Sequence, residues 1–234
     1  MLFRSDSLLG SAWPNLYPAF GVPVSYAGIV SMIISCGTIV SSLCSDRLTR
    51  ALGTGKVTAL SVAMTAAALF GFSAASAFWM LCLWAIPYGL GAGSVDAALN
   101  NYVALHYESR HMSWLHCMWG VGASVGPYIM GYALNGGHGW NSGYRYIAIL
   151  QIILTLILCL SLPLWKDRSK NEESVSSEKT LSLKEVLAIP GAKQIMLMFF
   201  CYCALEQTTG LWASSYLVLH KGVSAERAAN FASM

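Results

Sequence analysis

Long apolar runs alternate with short polar breaks along most of this chain. Three stretches, 57–95, 111–144 and 146–165, contain no Asp, Glu, Lys or Arg. A helix that crosses the hydrocarbon of a bilayer needs roughly 20 mostly apolar residues. The runs between polar breaks therefore predict spanning helices near 22–44, 57–74, 78–105, 112–134, 146–164 and 194–219.

The two ends and one internal segment differ from these spans. Leu8–Pro18 has the pattern of the outer end of another helix, and Ser224–Met234 that of a helix that is just beginning. The segment 166–193 is rich in Lys, Glu and Ser, which is typical of a linker on the membrane surface. We expect an N-terminal transmembrane bundle at 1–165 with its first helix incomplete, a cytoplasmic linker, and the start of a truncated second bundle at 194–234.

Composition agrees with a membrane protein. The apolar share is 56% and the charged share 11%, against about a half and a quarter in soluble domains. The lipid bilayer is thus an expected partner, and neither nucleic acid nor a cofactor is expected. The seven cysteines lie in apolar segments, so we interpret them as buried apolar residues and expect neither disulfides nor a metal site.

Basic residues predict the orientation, because cytoplasmic loops near span ends carry an excess of Lys and Arg. If the linker is cytoplasmic, ten Lys and Arg fall on its side, against three (Arg145, Lys221 and Arg227) on the other. The prediction is a multi-pass protein of the cell membrane with 45–56, 106–111 and 166–193 in the cytoplasm.

Three carboxylates, Asp6, Asp96 and Glu206, fall inside predicted helices. An ionisable group there costs roughly 2.5 kcal/mol or more, which indicates a function. Asp6 and Glu206 also begin the same pattern, since an acid is followed four residues later by Gly10 and by Gly210. Such a repeat 200 residues apart is what two parallel halves around a central site would show.

Other polar groups accompany these acids. Asp96 and Asn100 are four residues apart, and His116 and Trp119 three apart, so each pair shares one helix face. Together they suit a polyhydroxylated solute, with the tryptophan ring for stacking. Asp96 as a strut between helices, His116 as an interior histidine and Trp119 as a packing residue are the alternative interpretations.

Small residues spaced by four allow helices to approach closely in lipid. Gly122 and Gly126 supply one such face, and Ala27, Ser31 and Ser35 another. Thin faces suit helices that rock in an alternating-access carrier, although they also pack helices in any membrane protein.

The chain resembles the major facilitator superfamily. Ser45–Lys56 is similar to the signature between its second and third helices, with Ser42 at the usual leading glycine, and the resemblance assigns Asp46, Arg47 and Arg50 to a cytoplasmic latch. The fold it implies is an all-α helical bundle: the N-terminal six-helix half, the seventh helix and the start of the eighth.

Within that superfamily four segments resemble the fucose-permease-like sugar:proton symporters: Ser5–Leu9, Val95–Asn100, Trp114–Trp119 and Tyr202–Glu206. The resemblance places Asp6 and Asp96 on the two membrane carboxylates implicated in proton coupling and sugar recognition. His116 and Trp119 stand where fucose permease has glutamine and asparagine.

The expected function is secondary active transport of a small solute, a sugar or polyol, by proton-coupled alternating access. Asp6 and Asp96 are the candidates for proton coupling, and Asn100, His116, Trp119 and Glu206 for solute binding.

A non-transporting receptor or scaffold on the same fold is an alternative. A further rival is an intramembrane serine protease, since 122–126 matches G-x-S-x-G. His116 is eight residues, or about 12 Å of helix rise, before Ser124, so it is not the base, and we expect no enzyme. Because the chain begins and ends within helices, we expect it not to transport alone.

Overall fold

The computed structural model describes residues 5–175 and 183–232, and within them it contains helices and no strand. The helices, which we number in chain order, are α1 (Ser5–Ala19), α2 (Ala27–Leu52), α3 (Thr54–Ser73), α4 (Phe78–His106), α5 (Ser109–Asn135), α6 (Gly139–Val175), α7 (Leu183–Ala188), α8 (Ala192–Lys221) and α9 (Ala225–Ala232). The all-α prediction is confirmed, and α8 is the seventh of the long helices.

Four helical stretches are long and apolar enough to cross a membrane: Val24–Leu52, Thr54–Ser73, Phe78–His106 and Gly139–Pro163. They match four of the six predicted spans. The other two predicted spans correspond to α5 and α8, which have 27 and 30 residues. Both are long enough to cross but more polar, as expected of helices with one face toward a polar interior.

Two helices extend beyond their predicted ends. α2 was expected to stop near residue 44 but continues to Leu52, where Gly53 takes a φ of 80° and donates its N–H to the Thr49 carbonyl. α6 runs on to Val175, so the first ten residues of the predicted linker are helical. Polar residues end a lipid-facing stretch without ending a helix, because Lys, Arg, Glu and Asp are all compatible with helix in water.

The rest of the linker is only partly described. Residues 176–182 lie outside the described ranges, and α7 is a single short helix. Gly191, with a φ of 85°, separates that helix from α8.

The core lies among α1 to α6. Helices α2, α3, α4 and α6 pack most extensively, in the pairs α2–α4, α3–α4 and α3–α6. Trp13 of α1 is fully buried and donates its indole N–H to the Val24 carbonyl at 2.7 Å. Phe72 stacks on Tyr88 and meets Tyr144 edge to face. This packing fixes the position of α4, whereas α5 packs against α1, α6 and α9.

Helices α8 and α9 join this bundle at one end. α8 packs against α1, and α9 packs against α5 and α8. The contacts lie toward the end away from the linker: Ser214 donates to the Ala228 carbonyl, and Asn230 lies over Gly131. Most of α8 from Lys193 to Leu205 is exposed.

The burial predicted for the cysteines is wrong for most of them. Cys36, Cys44, Cys117, Cys159 and Cys201 are exposed, and Cys82 and Cys203 are intermediate; all seven are free thiols. The exposed ones lie on helix faces that no other described helix covers, where a small apolar side chain suits lipid as well as a core.

Candidate functional site

The repeated acid and glycine pattern lies where α1 meets α8. A Cβ placed on Gly10 would overlap the carbonyl oxygen of Gly210 and lie 2.8 Å from that of Leu211. The two helices can approach this closely only because Gly10 has no side chain. The two glycines of the predicted repeat are therefore in contact.

The acids of the repeat precede these glycines by one turn. Glu206 is half-buried on α8. A Cβ on Gly210 would lie 3.9 Å from the backbone nitrogen of Ser7, so the backbone of Asp6 lies near Gly210, one turn from Glu206 along α8. The side chain of Asp6 lies outside the described part of the structure.

Helix α4 carries Asp96 and Asn100 on one face. Asp96 is exposed, whereas Asn100 is partly buried and its Oδ1 has no hydrogen-bond partner among the described residues. Asp96 lies ten residues before the helix end at His106, which is about 15 Å along the axis. This depth corresponds to the middle of a bilayer.

Helix α5 carries His116 and Trp119. His116 is exposed and Trp119 is half-buried. Trp119 is ten residues from the helix start at Ser109, again about 15 Å along the axis. Because α4 ends and α5 starts at the same side of the membrane, Trp119 and Asp96 lie at the same depth.

Only some of the helices that carry these groups pack against one another. α1 packs against both α5 and α8, and α4 makes a small contact with α5. Within the described ranges α4 and α8 do not pack against each other extensively. The structure thus places Asp96 and Trp119 at one depth on α4 and α5, whereas Glu206 lies 14 residues from the start of α8, on a helix that does not pack extensively on α4 within the described ranges.

The neighbour of Glu206 was missed by the sequence analysis. The Oε1 of Gln207 is buried and has no hydrogen-bond partner in the described part of the chain, as is also true of the Ser215 hydroxyl on the same helix. In the sequence, the signal that could have identified Gln207 is its position next to Glu206, an acid inside a predicted spanning helix.

Helix α4 is held to α2 by hydroxyl groups. Ser41 donates to the Leu90 carbonyl and hydrogen-bonds the Ser94 hydroxyl, and Thr38 reaches the Gly89 carbonyl at 3.3 Å. Gly89 and Gly93 face the α2 backbone with no room for a Cβ. This contact fixes the segment of α4 that leads into Asp96.

Two of the residues assigned to the cytoplasmic latch form an ion pair within α2. An Arg50 Nη lies 3.0 Å from an Asp46 carboxylate oxygen, and its Nε donates to the other oxygen at 3.2 Å. Both side chains are more than half exposed, and Arg47 is exposed. The pair spans one helical turn and bridges no second helix.

The serine motif at 122–126 lies inside uninterrupted α5. A nucleophile elbow requires a strand-to-helix turn, so the local structure of Ser124 does not fit that motif. Gly122 and Gly126, the predicted packing residues, are buried.

Comparison with known proteins gives the family. The profile of the Major Facilitator Superfamily matches residues 2–234. The chain belongs to this superfamily. It is 24% identical over 241 residues to Bypass of stop codon protein 6 of Saccharomyces cerevisiae. That alignment covers 92% of this chain and 48% of the yeast protein. It is 26% identical over 131 residues to the uncharacterized transporter y4wD of Sinorhizobium fredii, covering 53% of this chain and 35% of the relative.

Two consequences follow from these comparisons. The superfamily assignment agrees with the all-helical fold and with several membrane-spanning helices, so the chain is a multi-pass membrane protein. The chain spans about half the length of the yeast relative, and the part of it that matches the bacterial relative covers about a third of that protein.

Proposed function

We propose that the protein is a secondary active transporter that moves a small hydroxyl-rich solute, a sugar or polyol, by alternating access coupled to protons. The superfamily and the transporter named among the relatives support the general activity. The observation that supports the solute class is the set of acidic, amide and aromatic groups within the long helices α4, α5 and α8: Asp96, Asn100, Trp119 and Glu206. Such groups at membrane depth suit a hydroxyl-bearing solute.

In this proposal the acids and the neutral polar groups have separate roles. Asp6 or Asp96 binds the coupling proton, and Asn100, His116, Trp119 and Glu206 line the solute path. Carboxylates and the Asn100 oxygen accept hydrogen bonds from hydroxyl groups, and the Trp119 ring offers a stacking surface.

The proposed location is the cell membrane, with 45–56, 106–111 and 166–193 in the cytoplasm. The excess of Lys and Arg on this side supports the orientation. We also propose that 1–165 and the residues from 194 onward belong to two transmembrane bundles joined by a cytoplasmic linker, with Asp46, Arg47 and Arg50 as part of the latch at the cytoplasmic face.

The test is uptake into liposomes that contain the purified protein in its full length. Radiolabelled L-fucose, D-glucose and mannitol are offered with and without an imposed pH gradient, acidic outside. A proton-coupled carrier accumulates at least one of them in response to the gradient. Solute binding without accumulation would instead support a receptor on the same fold.

The coupling role is tested with Asp96→Asn, which removes the proton-binding group and keeps the size of the side chain. We expect gradient-driven accumulation to fall at least tenfold. Glu108→Gln is the matched control, since Glu108 is an exposed acid that pairs with Arg110 at 2.9 Å outside the spanning segments. Unchanged uptake in Asp96→Asn would remove Asp96 from coupling.

A further inference from the structure

Helices α3 and α6 are joined at their middle by a polar contact. Nε2 of Gln151 on α6 donates to the Thr65 hydroxyl on α3 at 3.0 Å, and that hydroxyl donates to the Val62 carbonyl at 2.9 Å. Gln151 is 8% exposed and Thr65 is 6% exposed. Thr65 lies 11 residues after the start of α3 at Thr54, and Gln151 lies 12 after the start of α6 at Gly139, or about 16–18 Å along each axis. The contact is therefore near the middle of the membrane.

The oxygen of the same amide has no hydrogen-bond partner among the described residues. Oε1 of Gln151 is buried and accepts no bond from them. The Thr65 hydroxyl has one proton and donates it to the Val62 carbonyl, so it does not also donate to this oxygen. Exchanging the amide oxygen and nitrogen would break both existing bonds and form only one. Because buried acceptors are nearly always paired, this oxygen indicates a bound donor.

The surroundings of this oxygen define the class of donor. The stretches 57–95 and 146–165, which form the middle of α3 and of α6, contain no Asp or Glu. Without a carboxylate the site does not suit a cation, for which carboxylates are the usual ligands. The burial of Gln151 leaves no path for a lipid headgroup or a solute, so the donor is small and neutral.

A second polar group is available beside the first. Ser61 lies one turn before Thr65 on the same face of α3, and it is 4% exposed. A buried water molecule requires two to four polar partners. The Gln151 oxygen and the Ser61 hydroxyl supply two.

We propose that one internal water molecule is bound between α3 and α6, where it donates a hydrogen bond to Oε1 of Gln151 and pairs with the Ser61 hydroxyl. The water completes the polar contact that ties α3 to α6 in the middle of the membrane. The site is separate from the candidate solute residues, none of which lies on α3 or α6, and it does not depend on the proposed transport function.

The experiment compares Ser61→Ala in two backgrounds by thermal unfolding of the full-length protein in detergent. In the unaltered protein Ser61→Ala removes one partner of the water, so the Tm should fall by roughly 2–4 °C. Gln151→Met keeps the length of the side chain but removes the amide that holds the water. In that background Ser61→Ala should lower the Tm by less than about 1 °C, because the effects of two residues that share one partner are not additive.

Thr58→Val is the matched control. Thr58 is also a buried hydroxyl residue on α3, but its hydroxyl donates to the Thr54 carbonyl of its own helix at 2.8 Å. Thr58→Val should therefore lower the Tm equally in both backgrounds. If Ser61→Ala also has equal effects in the two backgrounds, the bridging water is wrong.

A structure of the full-length protein at a resolution that shows ordered water provides the second measurement. Density should lie about 2.5–3.0 Å from Oε1 of Gln151, and it should be missing in Gln151→Met. Absence of density beside Gln151 in the unaltered protein would overturn the inference. So would an atom with six or more oxygen ligands at about 2.3–2.6 Å, which is the coordination of a cation.

Discussion

The contact between α1 and α8 makes a sharp prediction, because its two glycines are not equivalent. A Cβ on Gly10 would meet the carbonyl oxygens of Gly210 and Leu211, which belong to the backbone and move only if the helix moves. A Cβ on Gly210 would meet only the Ser7 backbone at 3.9 and 4.0 Å, which is ordinary van der Waals contact. An added methyl group therefore does not fit at Gly10 on α1 but fits at Gly210 on α8.

The magnitudes follow from these distances. Overpacking a tight contact typically costs 1–3 kcal/mol, so Gly10→Ala should destabilise the protein by about that amount. Gly210→Ala should be neutral or stabilising, since alanine is favoured over glycine in helices by up to about 1 kcal/mol. The expected difference between the two variants is therefore about 1–4 kcal/mol.

The assay is thermal unfolding of the purified protein in detergent, followed by tryptophan fluorescence. For a chain of this size about 1 kcal/mol corresponds to a change in Tm of roughly 2–4 °C. Gly10→Ala should lower the Tm by roughly 2–12 °C, while Gly210→Ala should leave it unchanged or raise it. Equal Tm values for the two variants would refute the close approach of α1 and α8 at Gly10.

Two further predictions concern helix contacts. Because Gly210 and Ser7 approach so closely, a variant that carries both Ser7→Cys and Gly210→Cys should form a disulfide on mild oxidation. Peptide mapping detects the disulfide, and its absence would contradict the close approach of α1 and α8. Ser41→Ala should lower the free energy of unfolding by about 0.5–1.5 kcal/mol, because it removes a buried hydroxyl that bonds Leu90 and Ser94. The exposed Ser42, 3.2 Å from the Gly93 carbonyl, is the control, and a larger loss in Ser42→Ala would contradict the burial argument.

The hydrophobic pattern predicted which segments are helices, and the reason is physical. An apolar, uncharged run long enough for the bilayer has few alternatives to a helix, since every backbone group must be paired internally. The pattern failed at the ends of α2 and α6, because beyond the lipid a helix is limited by capping and not by polarity. Gly53 ends α2, and no hydropathy pattern requires a stop at residue 44.

Sequence alone identifies a candidate site residue where the cost of burying it is high. Asp96 and Glu206 are such candidates, because a charge in lipid is expensive. Gln207 is not, because an amide is cheap enough to lie anywhere on a helix, and the burial of its oxygen is seen only in the fold. The repeat at Gly10 and Gly210 was visible in the sequence, whereas the contact between its two copies required the fold.

The contacts also differ in strength in a way that suits the proposed mechanism. Helices α2 and α4 are tied by hydroxyl groups such as Ser41 and Ser45 that donate to backbone carbonyls along several turns, and by Gly89 and Gly93 packed on the α2 backbone. Between α1 and α8 the close approach is centred on Gly10. Rocking of one rigid unit against another requires strong contacts within each unit. The pairs α2–α4, α3–α4 and α3–α6 meet this requirement, whereas α1 packs more extensively on α8 than on α2, α5 or α6.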